Sequence, residues 1–221
     1  MKREKRILAV SILLLMLIIY SSIQRLIAEH NAGTMVTRID ELIPFVPSFI
    51  VFYFAFFILM VLPFFIIEGI QEYRKVIASY LLIVFVSAIF FILLPAKIAR
   101  PEITGSTIVL STVAWIYSID APLNTFPSMH VSITTLVALV TLRCRRDLAK
   151  YVVPLALLVV LSTLFVKQHY FLDAVGGIVL GVLAYVAVFI LTEAIDCSAA
   201  AERIKETVSL LGEKGGQWLS K

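Results

Sequence analysis

The chain contains several long apolar runs without a charged side chain, and those at 49–67 and 76–94 are the clearest. Each is long enough to cross the hydrocarbon core of a bilayer as a helix, which satisfies its own backbone polar groups. Of the 221 residues, 61% are hydrophobic and 15% are charged, whereas soluble domains have about 25% charged residues. The sequence therefore predicts an integral membrane protein and excludes a disordered chain, a nucleic-acid-binding domain and a disulfide scaffold.

The predicted fold class is all-α, a polytopic bundle of six transmembrane helices. The six segments that qualify by length and apolarity are 7–23, 49–67, 76–94, 127–142, 151–166 and 173–192. The segment 103–119, between spans three and four, is interpreted as an interfacial or re-entrant helix, with a seventh span as the alternative. The aromatic-rich second span is interpreted as lipid-facing.

The positions of Lys and Arg predict the orientation in the membrane. If the N-terminus is cytoplasmic, 14 of the 19 basic residues lie in cytoplasmic segments, as the positive-inside rule requires. Both termini are then cytoplasmic, and the tail 197–221 is a cytoplasmic extension of a single membrane domain, 1–221. Residues 1–20 also resemble a signal peptide, although Gln24, Arg25 and Leu26 make a poor cleavage site.

Residues capable of chemistry gather at the outer ends of the predicted spans. His130 and His169 are separated by one helix that crosses the membrane and one that returns, so we expect the two imidazoles to meet on one face. The other polar residues expected there are Lys97, Arg100, Ser128, Lys167 and Asp173. The sequence thus predicts one polar site at the extracytoplasmic edge of the bundle.

The residue types in this set favour phosphoryl transfer. Asp173 follows His169 by four residues, so on a helix its carboxylate can accept one ring N–H and leave the other nitrogen free to attack. Ser128 is suited to cap a helix whose N-terminus binds an anion, and His130 can protonate a leaving oxygen. His130, His169 and Asp173 could alternatively bind a metal, but the neighbouring Lys and Arg side chains would repel a cation.

Two segments resemble motifs of the type-2 phosphatidic acid phosphatase superfamily, which includes lipid phosphate phosphatases. The sequence Phe126-Pro127-Ser128-Met129-His130 is similar to its P-S-x-H motif, and His169-Tyr170-Phe171-Leu172-Asp173 to its H-x-x-x-D motif. The resemblance covers about 76–192, which is then the catalytic core. It implies that His130 is the general acid, that His169 is phosphorylated, and that Asp173 orients His169. The residues themselves fit phosphoryl transfer through a histidine nucleophile without a metal, and no cofactor is expected.

The sequence departs from the superfamily pattern at two places. Lys97 lies three residues before Arg100-Pro101, closer than the K-x-x-x-x-x-x-R-P motif has it, and Thr163 stands where an Arg follows the motif's serine. We expect Lys97, Arg100, Ser128 and Lys167 to bind the substrate phosphate. The run Lys167-Gln168-His169-Tyr170 resembles the branch that contains inositol phosphorylceramide synthase, in which a hydroxyl compound is the acceptor.

The resulting prediction is a lipid phosphatase or phosphotransferase in the membrane. Its partners would be a lipid phosphate or diphosphate, the surrounding membrane lipids and an alcohol acceptor such as inositol, with no nucleic acid. The alternative is a small transporter or lipid-binding protein with a cationic outer site. The absence of charged residues at mid-span and of paired broken helices counts against that alternative.

Overall fold

The protein is all-helical over the residues that the computed structural model describes, namely 10–11, 14–16, 18–23 and 32–194. Within these residues the only β-type pairings are isolated bridges, Gly33 with Ala96 and Lys97 with Leu123. Residues 14–16 and 18–23 are helical. The helices that follow are α1 (Arg38–Leu42), α2 (Ile50–Val61), α3 (Pro63–Ile66), α4 (Ile70–Leu93), α5 (Ile108–Ile119), α6 (Met129–Cys144), α7 (Arg146–Phe165) and α8 (Phe171–Tyr185).

Four helical segments within the described part of the chain are long and apolar enough to cross a membrane: Pro47–Ile66, Ile70–Leu93, Arg146–Phe165 and Phe171–Ala194. They match the second, third, fifth and sixth spans predicted from the sequence. The protein is therefore an all-α chain with several membrane-spanning candidates, as predicted.

The count of six spans is not established by these helices. Helix α6, the fourth predicted span, has 16 residues and is among the shorter apolar helices. The first predicted span lies partly outside the described residues, and the tail 197–221 lies wholly outside them. The segment 103–119 contains α5, with 12 residues, and its interfacial position stays a prediction.

Contacts between Cα atoms divide the chain after Tyr185, and helices α1 to α8 belong to the first unit. In the second unit, Val186–Leu191 forms a π-helical turn. Within the first unit, α6 packs against both α7 and α8, and α2 packs against α7. The N-terminal ends of α6 and α8 are thereby brought side by side.

Small residues allow the close approach of α6 and α8. A Cβ atom on Gly177 would lie 2.7 Å from the carbonyl oxygen of Ser128, and one on Gly181 would lie 2.5 Å from that of Ser132. Only glycine fits at these two contacts without moving a backbone. This packing fixes the start of α6 against α8.

Candidate active site

The two histidines that the sequence predicts to converge lie next to each other. His130 is the second residue of α6, and His169 lies in the loop between α7 and α8. The Nε2 atom of His169 is 3.4 Å from the Nδ1 atom of His130, and the ring centroids are 5.5 Å apart. The structure therefore brings two imidazole nitrogens to a common point, with their catalytic roles remaining predictions.

The backbone carbonyl of Thr125 determines which nitrogen of His169 carries a proton in the neutral ring. Its oxygen lies 3.1 Å from His169 Nδ1. Because a carbonyl oxygen can only accept, Nδ1 is the donor and Nε2 keeps its lone pair. That lone pair points toward His130, which is the orientation that a nucleophile at this site needs.

Asp173 contacts the same ring in a different way from that expected. His169 precedes α8, so the two residues do not share the face of one helix, and Asp173 Oδ2 lies 3.7 Å from His169 Nδ1. The same oxygen accepts the backbone N–H of Tyr170 at 2.8 Å, which caps the start of α8. The fully buried carboxylate thus provides a negative charge near the ring, while Thr125 receives its N–H.

The loop that carries His169 is fixed by the way α7 ends. The N–H of Gln168 donates to the carbonyl of Thr163 at 2.9 Å, and the N–H of Lys167 donates to that of Leu164 at 3.1 Å. Lys167 has a φ of 53°, so the helix closes with a Schellman motif whose left-handed residue is lysine instead of the usual glycine. The His169 N–H also donates to Thr163 at 3.1 Å, which holds the histidine backbone against the helix end.

His130 is held from the opposite side by α2. The Tyr53 hydroxyl lies 3.0 Å from His130 Nε2, and the Phe56 ring centroid lies 4.4 Å from that of His130. Tyr53 and Phe56 are 2% and 6% exposed, so the interpretation of the second span as lipid-facing is wrong for this face. The sequence signal at this position is a single phenol hydroxyl in an otherwise apolar helix, which does not identify His130 as its partner.

Ser128 connects the two motifs through its backbone. Its side chain caps α6 by accepting the N–H of Val131 at 3.3 Å, as predicted for a residue that opens this helix. Its own N–H donates to the carbonyl of Asp173 at 3.0 Å. The segment that carries His130 is therefore hydrogen-bonded directly to the segment that carries His169.

Arg100 reaches the site from the segment before α5. Its Nη1 atom donates to the carbonyl oxygen of Asp120 at 2.6 Å, and its Nη2 atom donates to the side-chain oxygen of Gln168. Burial lowers the pKa of the Arg100 guanidinium from its usual value, and the nearby Asp120 carboxylate opposes that change. The result is a fixed cation beside the residue that precedes His169.

Several buried polar atoms around His169 have no hydrogen-bond partner among the described residues. They are Arg100 Nε, Gln168 Nε2, Thr125 Oγ1, Asp173 Oδ1 and both side-chain atoms of Asn124. An unsatisfied buried polar group is costly, and most such groups are hydrogen-bonded. The donors among these atoms are the type of group that binds phosphate oxygens.

Comparison with known proteins identifies the family. The model of the PAP2 superfamily matches residues 19–187, which is more than half of the chain. The protein belongs to the PAP2 superfamily. No curated protein and no solved structure gave a significant match. PAP2 superfamily members are generally phosphatase-type enzymes, so the two histidines lie in a chain of phosphatase or phosphotransferase character.

Two of the cations predicted to bind phosphate in this PAP2 superfamily protein are placed differently from Arg100. The Lys167 ammonium donates to the carbonyl oxygens of Ile43 at 2.6 Å and of Asp40 at 3.2 Å. Burial lowers the pKa of Lys167, and Asp40 opposes that change. The Lys97 side chain is exposed, and its backbone N–H donates to Gly33 at 2.8 Å. Of these three cations, Arg100 is therefore the one whose side chain contacts Gln168, the residue before His169.

An apolar cavity of about 530 Å³ adjoins the histidines. Besides His130, His169 and Asn124, its walls come from α2, α5, α6 and the first described residues, and include Tyr53, Phe56, Ile116, Ile133 and Met16. Apolar walls with a few polar groups at one end are typical of a site for an amphipathic ligand. In this PAP2 superfamily protein the polar residues of the lining are the two histidines, Asn124, Asp120, Tyr20 and Tyr53.

The described residues contain no group of three or more His, Cys, Asp or Glu side chains arranged to bind a metal ion. In the alternative of a His130, His169 and Asp173 metal triad, all three side chains would share one ion, but the Asp173 carboxylate lies beside His169 Nδ1, whereas it is His169 Nε2 that faces His130. The site combines nitrogen bases and the Arg100 guanidinium with the carboxylates of Asp173 and Asp120.

Proposed function

We propose that the protein is a membrane phosphatase or phosphotransferase that acts on a lipid phosphate or diphosphate through a phosphohistidine on His169. The observation that carries the proposal is the Nε2 atom of His169, which lies 3.4 Å from His130 Nδ1 on the wall of an apolar cavity. A lipid chain fits such a cavity, while its phosphate reaches the donors beside the two histidines.

The proposed reaction has two steps. In the first, His169 Nε2 attacks phosphorus, the bond between phosphorus and the lipid oxygen breaks, and His130, which enters the step as the imidazolium, gives its Nδ1 proton to the leaving oxygen and becomes neutral. In the second, water or an alcohol attacks the phosphorus of the phosphohistidine. His130 takes the proton of the attacking hydroxyl, and His169 is released as the neutral ring.

The two rings must separate when a substrate binds. A phosphoryl group with its oxygens does not fit within the 3.4 Å between the two nitrogens, so the phosphate would enter from the cavity and displace His130 from His169. Arg100, Gln168 and Asn124 have buried donors without a partner in the described part of the chain, and these would then hold the phosphate oxygens and stabilise the charge that develops. Asp173 would stabilise the positive charge on the phosphorylated ring.

The choice between water and an alcohol as the acceptor separates two versions of the proposal. The run Lys167-Gln168-His169-Tyr170 resembles the inositol phosphorylceramide synthase branch and favours an alcohol. Purified protein in detergent with EDTA would be incubated with ³²P-labelled phosphatidic acid or a prenyl diphosphate, with and without myo-inositol. Free phosphate identifies a hydrolase, and a labelled alcohol phosphate identifies a transferase.

The matched variants for this assay are His169→Ala and His130→Ala. We expect acid-labile labelled protein in the wild type and its loss in His169→Ala. Full activity in His169→Ala would overturn the mechanism. Anion binding or flux without turnover, surviving in both variants, would instead favour the transporter alternative.

We also propose that the active site lies on the extracytoplasmic side and that both termini are cytoplasmic. The distribution of Lys and Arg supports this orientation. Lys97, between α4 and α5, and Lys150, near the start of α7, are both exposed, and the proposal puts them on opposite sides of the membrane. In a cysteine-free background, Lys97→Cys should react with an impermeant maleimide in intact cells, and Lys150→Cys only after permeabilisation. The reverse pattern would overturn the orientation.

A further inference from the structure

The apolar cavity beside the histidines follows one face of helix α2. On this helix its lining consists of Tyr53, Phe56, Phe57 and Met60. Their spacing of three and four residues places the side chains on one side of the helix. From Tyr53 to Met60 the helix rises by about 10 Å, at roughly 1.5 Å per residue. The cavity therefore extends along α2 beyond the immediate surroundings of the imidazoles.

Contacts with the histidines mark where this stretch of the cavity begins. The Tyr53 hydroxyl lies 3.0 Å from His130 Nε2, so the part of the cavity next to Tyr53 is also next to the proposed site of phosphoryl transfer. On α6 the lining runs from Met129 and His130 to Ile133, one helical turn further. Both helices thus lead from the histidines to apolar side chains.

Met60 and Ile133 form the floor of the cavity, which is its end away from the histidines. They are the last lining residues on α2 and α6, and Phe64, one turn beyond Met60, is not among the described residues that line it. The backbone at Met60 is held in place, because its carbonyl oxygen accepts the hydroxyl of Tyr80 in α4 at 2.7 Å. Ile133 is 1% exposed. The floor is therefore built from packed parts of two helices.

We propose that Met60 and Ile133 select the length of the apolar chain on the substrate, a phosphate ester with one linear chain in this cavity. The inference rests on the proposed function, because a phosphate held beside His169 fixes one end of the chain. The chain then lies along α2, and each methylene as far as Met60 gains contact with the apolar wall. A methylene beyond the floor finds no further wall, so it adds little to binding.

The competing path for a long chain is sideways. Leu14 and Val10 also line the cavity, and they are 54% and 56% exposed, so this side is open to the surrounding lipid. A chain that leaves past these residues does not press on Met60. Substitution of Met60 would then leave the preference for chain length unchanged. The two paths thus predict different results for one substitution.

The kinetic test compares Met60→Trp with the wild type on butyl, hexyl, octyl, decyl and dodecyl phosphate at known free concentrations. In the wild type we expect kcat/KM to rise by up to about fourfold for each methylene that becomes buried, until the chain reaches the floor. In Met60→Trp the rise should stop at a shorter chain. For the longest chain we expect kcat/KM about tenfold or more below the wild type, the loss of roughly two buried methylenes.

The reverse change is Met60→Ala, which deepens the cavity, so the rise in kcat/KM should continue to a longer chain than in the wild type. Because this variant removes atoms, it also tests the floor without forcing a large ring into the protein. The wild-type dependence on chain length in both Met60 variants would overturn the inference and would favour the sideways path.

The matched control is Ile58→Trp, which adds the same side chain to the same helix. Ile58 is 63% exposed and is not among the described residues that line the cavity. We expect this variant to keep the wild-type dependence of kcat/KM on chain length. A change equal to that in Met60→Trp would show that tryptophan acts through the helix as a whole, and it would overturn the inference.

A binding measurement separates this inference from the proposed function. Alkylphosphonates of the same chain lengths have a phosphorus–carbon bond that the proposed reaction does not break, so calorimetric titration reports binding without turnover. We expect Kd to fall with chain length and to level off earlier in Met60→Trp than in the wild type. That result without turnover of any alkyl phosphate would contradict the proposed function alone. Turnover with the same chain-length dependence in both proteins would contradict the inference alone.

Discussion

The carboxylate of Asp40 accepts the backbone N–H of Phe171 at 2.7 Å, across 131 residues of chain. Its other oxygen accepts the N–H and the hydroxyl of Thr37, each at 2.7 Å. One buried side chain therefore caps α1 and also holds the start of α8, immediately after His169. The segment 37–43 acts as a strap over the loop that carries the proposed nucleophile.

Replacing this carboxylate should lower stability and activity together. In Asp40→Ala, three hydrogen bonds to one charged group are lost, and we expect a cost of about 1–3 kcal/mol. For a chain of this length, each kcal/mol corresponds to about 2–4 °C in Tm. Thermal unfolding in detergent and the rate of lipid phosphate hydrolysis are the measurements. Glu41→Ala is the control, because Glu41 is exposed on the same helix. Equal Tm values for the two variants would contradict the claim that Asp40 holds the segment 37–43 against the start of α8.

The sequence makes some of these features visible and hides others. Polar residues such as His130, His169 and Asp173 stand out against the apolar runs, so their convergence at the end of two helices could be predicted. The four segments with the longest apolar stretches were likewise predicted as spans, and they are helices long enough to cross a membrane.

The features that the sequence hides are long-range contacts and backbone groups. Tyr53 and His130 are 77 residues apart, and a tyrosine in a run of phenylalanines has the composition of a lipid-facing aromatic surface. The carbonyl of Thr125 is a group that every residue has, so no pattern of side chains could indicate that it orients His169. Asp40 was hidden for both reasons, since its partners are backbone N–H groups distant in sequence.

Asp173→Asn should reduce activity less than the loss of an orienting carboxylate does in a serine-protease triad. There the change costs about 10⁴-fold, because the histidine takes the wrong tautomer. Here the Thr125 carbonyl, 3.1 Å from His169 Nδ1, keeps the tautomer in place, and only the charge at 3.7 Å is lost. We expect kcat to fall by roughly 10²-fold, in the lower part of the range for acid–base groups. A loss as large as that of His169→Ala would show that Asp173, and not Thr125, orients the ring.

Asn124→Gly should separate stability from activity. Asn124 has a φ of 59°, which glycine adopts freely, and its amide has no partner among the described residues. Removing it should leave Tm nearly unchanged. If the amide binds a phosphate oxygen, kcat/KM should fall by about 10- to 100-fold, which corresponds to one hydrogen bond to a charged group.

The comparison variant at this position is Asn124→Asp, which has the same size and also tolerates a positive φ. Its carboxylate would repel the phosphate, so we expect a larger loss of kcat/KM than in the glycine variant. Wild-type values of kcat/KM in both variants would exclude the amide from the substrate site.

Lys167→Gly should distinguish a loop anchor from a phosphate ligand. The ammonium donates to two carbonyl oxygens of the strap, while the backbone has a φ of 53° that suits glycine. We therefore expect kcat/KM to stay within about threefold of the wild type, because little transition-state binding is removed. Arg100→Gln, measured beside it, should lose far more. A comparable loss in both variants would support the sequence prediction that Lys167 binds the phosphate.

Gly177→Ala should destabilise the site although alanine is the better helix former. In an isolated helix the change would gain roughly 0.5–1 kcal/mol. In this protein the added Cβ would lie 2.7 Å from the Ser128 carbonyl oxygen and 2.8 Å from Val131 Cβ. The backbone N–H of Ser128, at the start of α6, donates to the carbonyl of Asp173 in α8. Moving α6 away from α8 would strain this bond, and it would also separate His130 from His169.

Overpacking of this kind typically costs about 1–3 kcal/mol. We therefore expect Gly177→Ala to have a lower Tm and a lower kcat than the wild type. The control is Gly33→Ala, since a Cβ there would lie 3.9 Å from the Pro95 oxygen, an ordinary contact. Thermal unfolding and phosphate release on the two variants decide between the outcomes. A Gly177→Ala protein with raised Tm and full activity would show that helix propensity outweighs the close contact. The two histidines would then not depend on the spacing of α6 and α8.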